Sequence, residues 1–243
     1  MPYYGVARGY NPGVYYNWQD CKIQVNGFSR SCYRKFTNEA AAWKFVQNNG
    51  YIDDGYSSSD DYESDPYESV GLEVVYVDGA CRGNGSHPYT PAGYGVFYGY
   101  GDDRNVAVPL DEVDRYNLYR PTNQRAELHA LNHALKNIED SIDGEYCDCK
   151  TEIRSDSQFA IRSITEWCYK WSNNGWTNVR GETVANDDLI KDNFRMMNFI
   201  NNAYEQWGWG EINFIHVRGH SGDDGNEQAD RLANIGADNY GSY

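Results

Sequence analysis

The sequence predicts an α/β protein: a mixed five-stranded sheet flanked by helices, preceded by a small ββαβα unit. Three observations predict it. From residue 72 onward, three strand-like apolar runs come in succession, and two more then alternate with helical periods. Residues 1–46 hold a separate, shorter alternation of strand and helix patterns. Between the two, residues 47–70 show no apolar period. A chain of 243 residues is long enough for both units and for a sizeable core. The expected boundaries are 1–48 for the small domain, 49–70 for an acidic linker and 71–239 for the large domain.

In the small domain, residues 3–8 and 14–18 read as strands, with Tyr10-Asn11-Pro12-Gly13 as the turn between them. "NWQDCKIQVNGF" reads as a short helix with Asn17 as its cap, "SCYRKF" as a third strand and "TNEAAAWKFV" as a second helix. The Asp, Ser, Gly and Tyr of residues 47–70 read as a self-repelling linker. In the large domain, strands are expected at 72–77, 93–100 and 105–110. The helix "TNQRAELHALNHALKNIED", the strand "KTEIRSDS", the helix "SQFAIRSITEWCYKW", the helix "DDLIKDNFRMMNFINNAYEQW", the strand "INFIHV" and the helix "NEQADRLANIGA" complete it.

The net charge of −15 argues by itself against a nucleic-acid partner. Its distribution argues otherwise. Residues 1–46 carry six bases against two acids, a net +4, while residues 47–70 carry seven acids and no base. No apolar run approaches the ~18 residues of a membrane span. The N-terminus has neither the pattern of a signal peptide nor that of a transit peptide. The six scattered cysteines lack a CxxC, and reduced thiols are expected. His129 and His133 have the i,i+4 spacing of a zinc pair but no third ligand in view, and they are read as helix-surface residues.

Four carboxylates stand where a carboxylate is awkward. Asp78 closes the apolar run Val74-Val75-Tyr76-Val77, and an unpaired buried charge costs several kcal/mol. Glu127 shares a helix stripe with Leu131, Ala134 and Ile138. Asp156 lies where a strand passes into a helix, within Ser155-Asp156-Ser157. Asp230 precedes Ala233 and Ala237 by one and two turns. Each has an ordinary explanation as a strand-end turn, a first-turn acid or an N-cap. Together, at strand ends where open α/β sheets place their ligands, they would repel unless hard cations neutralised them. Oxygen-only ligation points to Mg²⁺ or Mn²⁺, and a pair of such ions serves in-line phosphoryl displacement. His220, in the glycine-rich "VRGHSGDDGNEQAD", could shuttle a proton or sit in solvent.

The segments "YVDGACRGNG", "TNQRAELHAL", "RSDSQFAI", "WCYKWSNNGW" and "HVRGHSGDDGNEQADRLA" resemble, in order, the signature segments of the ribonuclease H family over residues ~72–238. "YYGVARGYNPGVYYNW", "CKIQVNGF" and "YRKFTNEAAAWKFV" resemble the small hybrid-binding domain that precedes the nuclease in eukaryotic-type ribonucleases H of type 1. The resemblance implies an RNase H-like fold and an endonuclease that hydrolyses the RNA strand of RNA–DNA hybrids with two Mg²⁺ ions, or Mn²⁺, leaving 5′-phosphate and 3′-hydroxyl ends. It implies that Asp78, Glu127, Asp156 and Asp230 are metal ligands and His220 the loop histidine. It places Asn84, Asn123 and Gln124 in the hybrid's minor groove, and Arg120, Thr122 and Asn186 on a DNA-strand phosphate. Phe159, Trp167 and Trp171 fall in the DNA channel, and Tyr4, Arg8, Trp18, Tyr33, Arg34 and Lys35 on the nucleic-acid face of the small domain. Trp18 and Tyr33 have packing of a tiny core as their alternative reading.

The stretch "KWSNNGW" departs from the family, with Ser172-Asn173-Asn174 where bases are common. The basic small domain is therefore expected to contribute most of the binding. Competing readings are a resolvase or transposase on the same fold, and a catalytically weak hybrid- or duplex-RNA-binding protein. "TNQRAEL" and the full carboxylate set argue against them. A monomer in the nucleus or cytoplasm, with no membrane partner, completes the expectation.

Overall fold

The computed structural model describes residues 2–25, 32–36, 38–47, 71–83, 87, 89–114, 118–144, 147, 149–219 and 221–241. They fall into two compact units, Met1–Leu72 with Asp148–Lys150 and Glu73–Cys147 with Thr151–Tyr243. The expected linker, Asn84 and His220 lie outside the described residues.

In the first unit, β1 (Tyr3–Arg8) pairs antiparallel with both β2 (Gly13–Tyr15) and β3 (Cys32–Phe36). Helices α1 (Trp18–Val25) and α2 (Glu39–Gln47) complete a ββαβα order. Val6, Cys21 and Val25 form the core, with Tyr4, Tyr15, Trp18 and Tyr33 packed around it. Gly5 admits α2, because a Cβ there would stand 2.9 Å from the Ala42 carbonyl oxygen. β2 is shorter than the strand expected over 14–18: residues 16 and 17 turn the chain, and Asn17 Oδ1 accepts from the Asp20 amide at the start of α1.

In the second unit, β4 (Leu72–Cys81), β5 (Ala92–Phe97), β6 (Val106–Pro109), β7 (Lys150–Ser155) and β8 (Asn213–His216) form a sheet in the order β6-β5-β4-β7-β8. β4–β5 and β5–β6 are antiparallel and β7–β8 parallel, so the sheet is mixed. A short helix not expected from the sequence, α3 (Leu110–Val113), follows Pro109. The long helix α4 (Asn123–Asp143) opens on the Thr122 cap, whose side chain accepts from the Arg125 amide.

The helix expected over 157–171 is interrupted. It divides into α5 (Gln158–Arg162), a π-helical turn Ser163–Trp167 and α6 (Cys168–Asn173). The hydroxyls of Ser163 and Thr165 and the Cys168 thiol donate to the carbonyls of Ala160, Ile161 and Ile164. Such side-chain competition for carbonyls loosens the regular ladder. Helices α7 (Asp187–Gln206) and α8 (Asp224–Asp238) complete the unit.

Glycines set the distance at which α8 lies on the sheet. A Cβ on Gly93 would stand 2.3 Å from the Ala237 amide nitrogen, and one on Gly95 2.4 Å from the Ala229 oxygen. The alternate β5 residue, Tyr94, turns to the other face, where α4 brings His129 and His133 against its ring. Those two histidines are therefore not helix-surface residues: His129 is buried with Nε2 2.9 Å from Asp114 Oδ1, and His133 Nδ1 lies 3.1 Å from the Tyr94 hydroxyl. Cys21, Cys81, Cys147, Cys149 and Cys168 form no disulfide, and no described helix is long and apolar enough to cross a membrane.

Candidate active site

β4 does not end at Asp78. It runs on to Cys81, and Asp78 pairs with Gly95 inside the ladder. Gly79 looks like a terminator in the sequence but serves close approach. A Cβ there would stand 2.3 Å from the Glu127 amide nitrogen and 2.6 Å from the Ala126 carbonyl carbon. The first turn of α4 therefore lies directly on β4 and brings Glu127 to Asp78. Asp156 follows β7, and the capping role open to it falls to Ser157, whose hydroxyl accepts from the Ala160 amide. The Asp156 carboxylate is left for other work. Its backbone carbonyl lies 3.2 Å from His216 Nε2, and Gly219 passes so close that a Cβ would meet Asp156 Oδ2 at 2.4 Å.

Asp78, Glu127 and Asp156 each offer an oxygen to a cluster whose members lie within 4.8 Å of one another. Asp78 and Glu127 are 6% and 5% exposed, and no described Lys or Arg pairs with any of the three. Burial, then the Asp156 charge, pushes the Asp78 carboxyl up to about 8, against the pull of the Gly79 N–H and with Asp230 adding to the rise. Burial, with Asp78 and Asp156 nearby, holds Glu127 well above the usual carboxylate range. Glu127 Oε1 accepts from Asn123 Nδ2 at 3.1 Å, whereas the buried Oε2 has no hydrogen-bond partner. Asp230 stands beside this set. Its charge reaches Asp78, while its Oδ1 accepts from Asn234 and lies outside the group of three.

An orphaned buried carboxylate oxygen, surplus negative charge and an all-oxygen donor set fit a hard divalent cation. Asp78, Glu127 and Asp156 are the residues that would hold it.

The other residues of interest divide by position. Arg120 and Gln124 are exposed beside the start of α4, where Asn123 is tied to Glu127 and Thr122 caps the helix. Asn186 stands at the N-cap of α7. Phe159, Trp167 and Trp171 form a row, with ring centroids 5.9 and 5.7 Å apart and Arg162 over Trp167. In the first unit, Trp18 sits between Tyr4 and Tyr33, each at 5.6 Å. Both packing and exposure apply to this trio, since all three flank the core and remain half-buried. Strand alternation places Tyr4, Tyr33 and Lys35 on one face and Arg34 on the other, with Arg8 exposed past a register shift in β1.

Sequence reasoning missed Arg125, which is 2% exposed although arginine is seldom fully buried. It lies three residues before buried Leu128 on the inward side of α4, the signal that had exposed Glu127.

A family profile described as RNase H matches residues 71–238, and one described as Ribonuclease H1 N-terminal domain matches residues 2–46. Human Ribonuclease H1 is 32% identical over 97% of this chain and 89% of its own length. The Ribonuclease H of Schizosaccharomyces pombe is 32% identical over 97% of each chain. Among solved structures, a foamy viral protease-reverse transcriptase in complex with an RNA/DNA hybrid shares the fold at a TM-score of 0.50 and 17% identity, over 83% of this chain and 27% of that one.

Proposed function

The chain belongs to the ribonuclease H family, and we propose that Asp78, Glu127 and Asp156, with Asp230 beside them, hold the divalent cations on which that family depends. It is an endonuclease that hydrolyses the RNA strand of RNA–DNA hybrids. The observation that carries the metal reading is the buried, unpartnered Oε2 of Glu127 inside a cluster of three carboxylates.

The natural occupants are two Mg²⁺ ions, with Mn²⁺ as the alternative. When bound, such ions activate a water and offset charge on the phosphate under attack. The chain's own residues do the rest. Asp78 and Glu127, which bound cations would hold ionised, fix the site on the sheet and on the first turn of α4. Asn123 holds one oxygen of Glu127 so that the other stays turned inward. His220 exchanges a proton with solvent from its glycine-rich loop. Asn84, Asn123 and Gln124 meet the RNA 2′-hydroxyls, while Arg120, Thr122 and Asn186 hold a phosphate of the DNA strand. Phe159, Trp167 and Trp171 supply flat surface for the DNA strand. The products carry 5′-phosphate and 3′-hydroxyl ends. The small unit grips the hybrid, and duplex RNA as well, through Tyr4, Arg8, Trp18, Tyr33, Arg34 and Lys35. The working form is a monomer in the nucleus or cytoplasm.

The test sets labelled hybrid, duplex RNA and duplex DNA against the protein with Mg²⁺, Mn²⁺ or EDTA. Cleavage confined to the RNA of the hybrid and abolished by EDTA is expected. Cleavage of all three, or metal-independent cleavage, overturns the reading. Deleting residues 1–48 should weaken hybrid binding about tenfold and flatten its salt dependence, because the +4 unit supplies the phosphate contacts. Unchanged affinity would refute that division of labour.

A further inference from the structure

Asparagine is among the best N-cap residues, and Asn186 stands at the N-cap of α7, yet its side chain makes no capping bond. Its backbone is held in the left-handed region at φ 57°. The amide is diverted: Asn186 Oδ1 accepts from Arg125 Nη1 at 3.3 Å. A guanidinium has donors and no acceptor, so only the amide oxygen can face it. Nδ2 must point the other way, and no described residue accepts from it.

Thr122 is held by the backbone instead. Its Oγ1 accepts from the Arg125 backbone N–H at 3.2 Å, which leaves the hydroxyl proton free to turn elsewhere. That bond comes from the backbone and any residue but proline at 125 would make it, so the Arg125 side chain aims the Asn186 amide alone.

Arg125 is itself immobilised. Nε and Nη2 donate to Asp114 at 2.5 and 2.6 Å, and Nη2 and Nη1 donate to Asp188 at 2.9 and 3.2 Å. The Tyr119 ring covers the guanidinium, with its centroid 3.6 Å from Cζ. A planar fork held on three sides can aim a third partner, which a lysine ammonium could not do.

Given that Asn186 and Thr122 hold a DNA-strand phosphate, as proposed above, we infer that the Arg125 side chain is the positioning residue of the Asn186 half of that contact: it turns the Asn186 amide so that Nδ2 is presented to the phosphate, without touching the substrate itself. With the amide reversed, Asn186 would present its carbonyl oxygen to an anion and repel it.

The experiment uses the full chain with Mg²⁺ and hybrids in which single DNA-strand phosphates are replaced in turn by neutral methylphosphonates. In the wild type, one position should raise KM about tenfold, the scale of a lost charge-assisted hydrogen bond. Asn186→Ala should remove that sensitivity. Arg125→Lys, which keeps the charge and loses the fork, should remove it at the same position with kcat within about twofold of wild type. Asp188→Asn, which loosens the fork from α7, should reduce it and serves if Arg125→Lys does not fold. An Arg125→Lys or Asp188→Asn protein as position-sensitive as the wild type overturns the positioning role. A wild type insensitive at every position instead strikes down the phosphate contact itself, and the role with it.

Discussion

Two buried charged clusters sit two residues apart on the first turn of α4, and they are built on opposite principles. Around Arg125, charges are matched: its guanidinium meets Asp114 and Asp188, and Asp114 also meets His129. Around Glu127, charges are alike: Asp78 and Asp156 face it and no described cation does. A matched buried cluster defines geometry and holds elements together. An unmatched one destabilises the fold that contains it, and persists because something outside the chain completes it. The difference separates scaffold from chemistry inside a single helical turn.

The sharpest way to break the comparison is Asp156→Asn. Losing one carboxylate of the unmatched cluster should reduce kcat on the order of 10³-fold, about 4 kcal/mol on the barrier, with hybrid binding retained. Hybrid cleavage and filter-binding assays on one preparation check both halves. Cleavage within tenfold of wild type would mean that Asp156 is not part of the chemistry.

The two clusters should also respond to pH with opposite signs. With Asp78 near 8 in the native state and near 3.9 unfolded, the native protein binds the extra proton between those values. Unfolding free energy without metal therefore falls as pH rises from about 4 to 8, by a few kcal/mol at most. Mg²⁺ should flatten that fall, as should Asp78→Asn, which also raises stability at neutral pH. Asp114 behaves oppositely. Burial raises its pKa, but His129 and Arg125 together outweigh burial and hold it below the usual range. Its contribution is complete above about pH 4 and is lost as pH falls through the carboxylate range. Asp114→Asn should accordingly cost about 2–3 kcal/mol at pH 7, because it strips a buried guanidinium of one partner. Urea melts at several pH values, with and without Mg²⁺, decide this. Equal pH slopes for the two variants would erase the contrast.

Much of this was legible in the sequence. The order of strands and helices followed from apolar periods, and three of the four awkward carboxylates do converge. What stayed hidden had physical causes. Gly79 is a turn signal in a linear reading, whereas here its missing Cβ lets α4 rest on β4, so the strand seemed to stop four residues early. Asp156 and Ser157 compete equally for the cap on paper, and only the bond to the Ala160 amide separates them. Arg125 was passed over because arginine reads as surface, and its two acidic partners are 11 and 63 residues away along the chain. The π-turn depends on where three side chains send their protons, which no hydrophobic period encodes.

The smallest expected effect comes from charges that water already satisfies. Arg82 and Asp238 pair at 2.8 Å with side chains 49% and 66% exposed. By distance alone this bridge equals those of Arg125, so a count of ion pairs would rank it alongside them. Solvent on both partners changes the outcome. High dielectric weakens the attraction, salt screens it, and the long Arg82 side chain loses rotamer freedom to hold one geometry. Asp238→Asn should shift stability by about 0.5 kcal/mol or less, and less still in high salt. Urea melts of the variant at low and high ionic strength check it. A loss approaching that of Asp114→Asn would show that pairing itself, rather than burial of the pair, is what binds the scaffold cluster together.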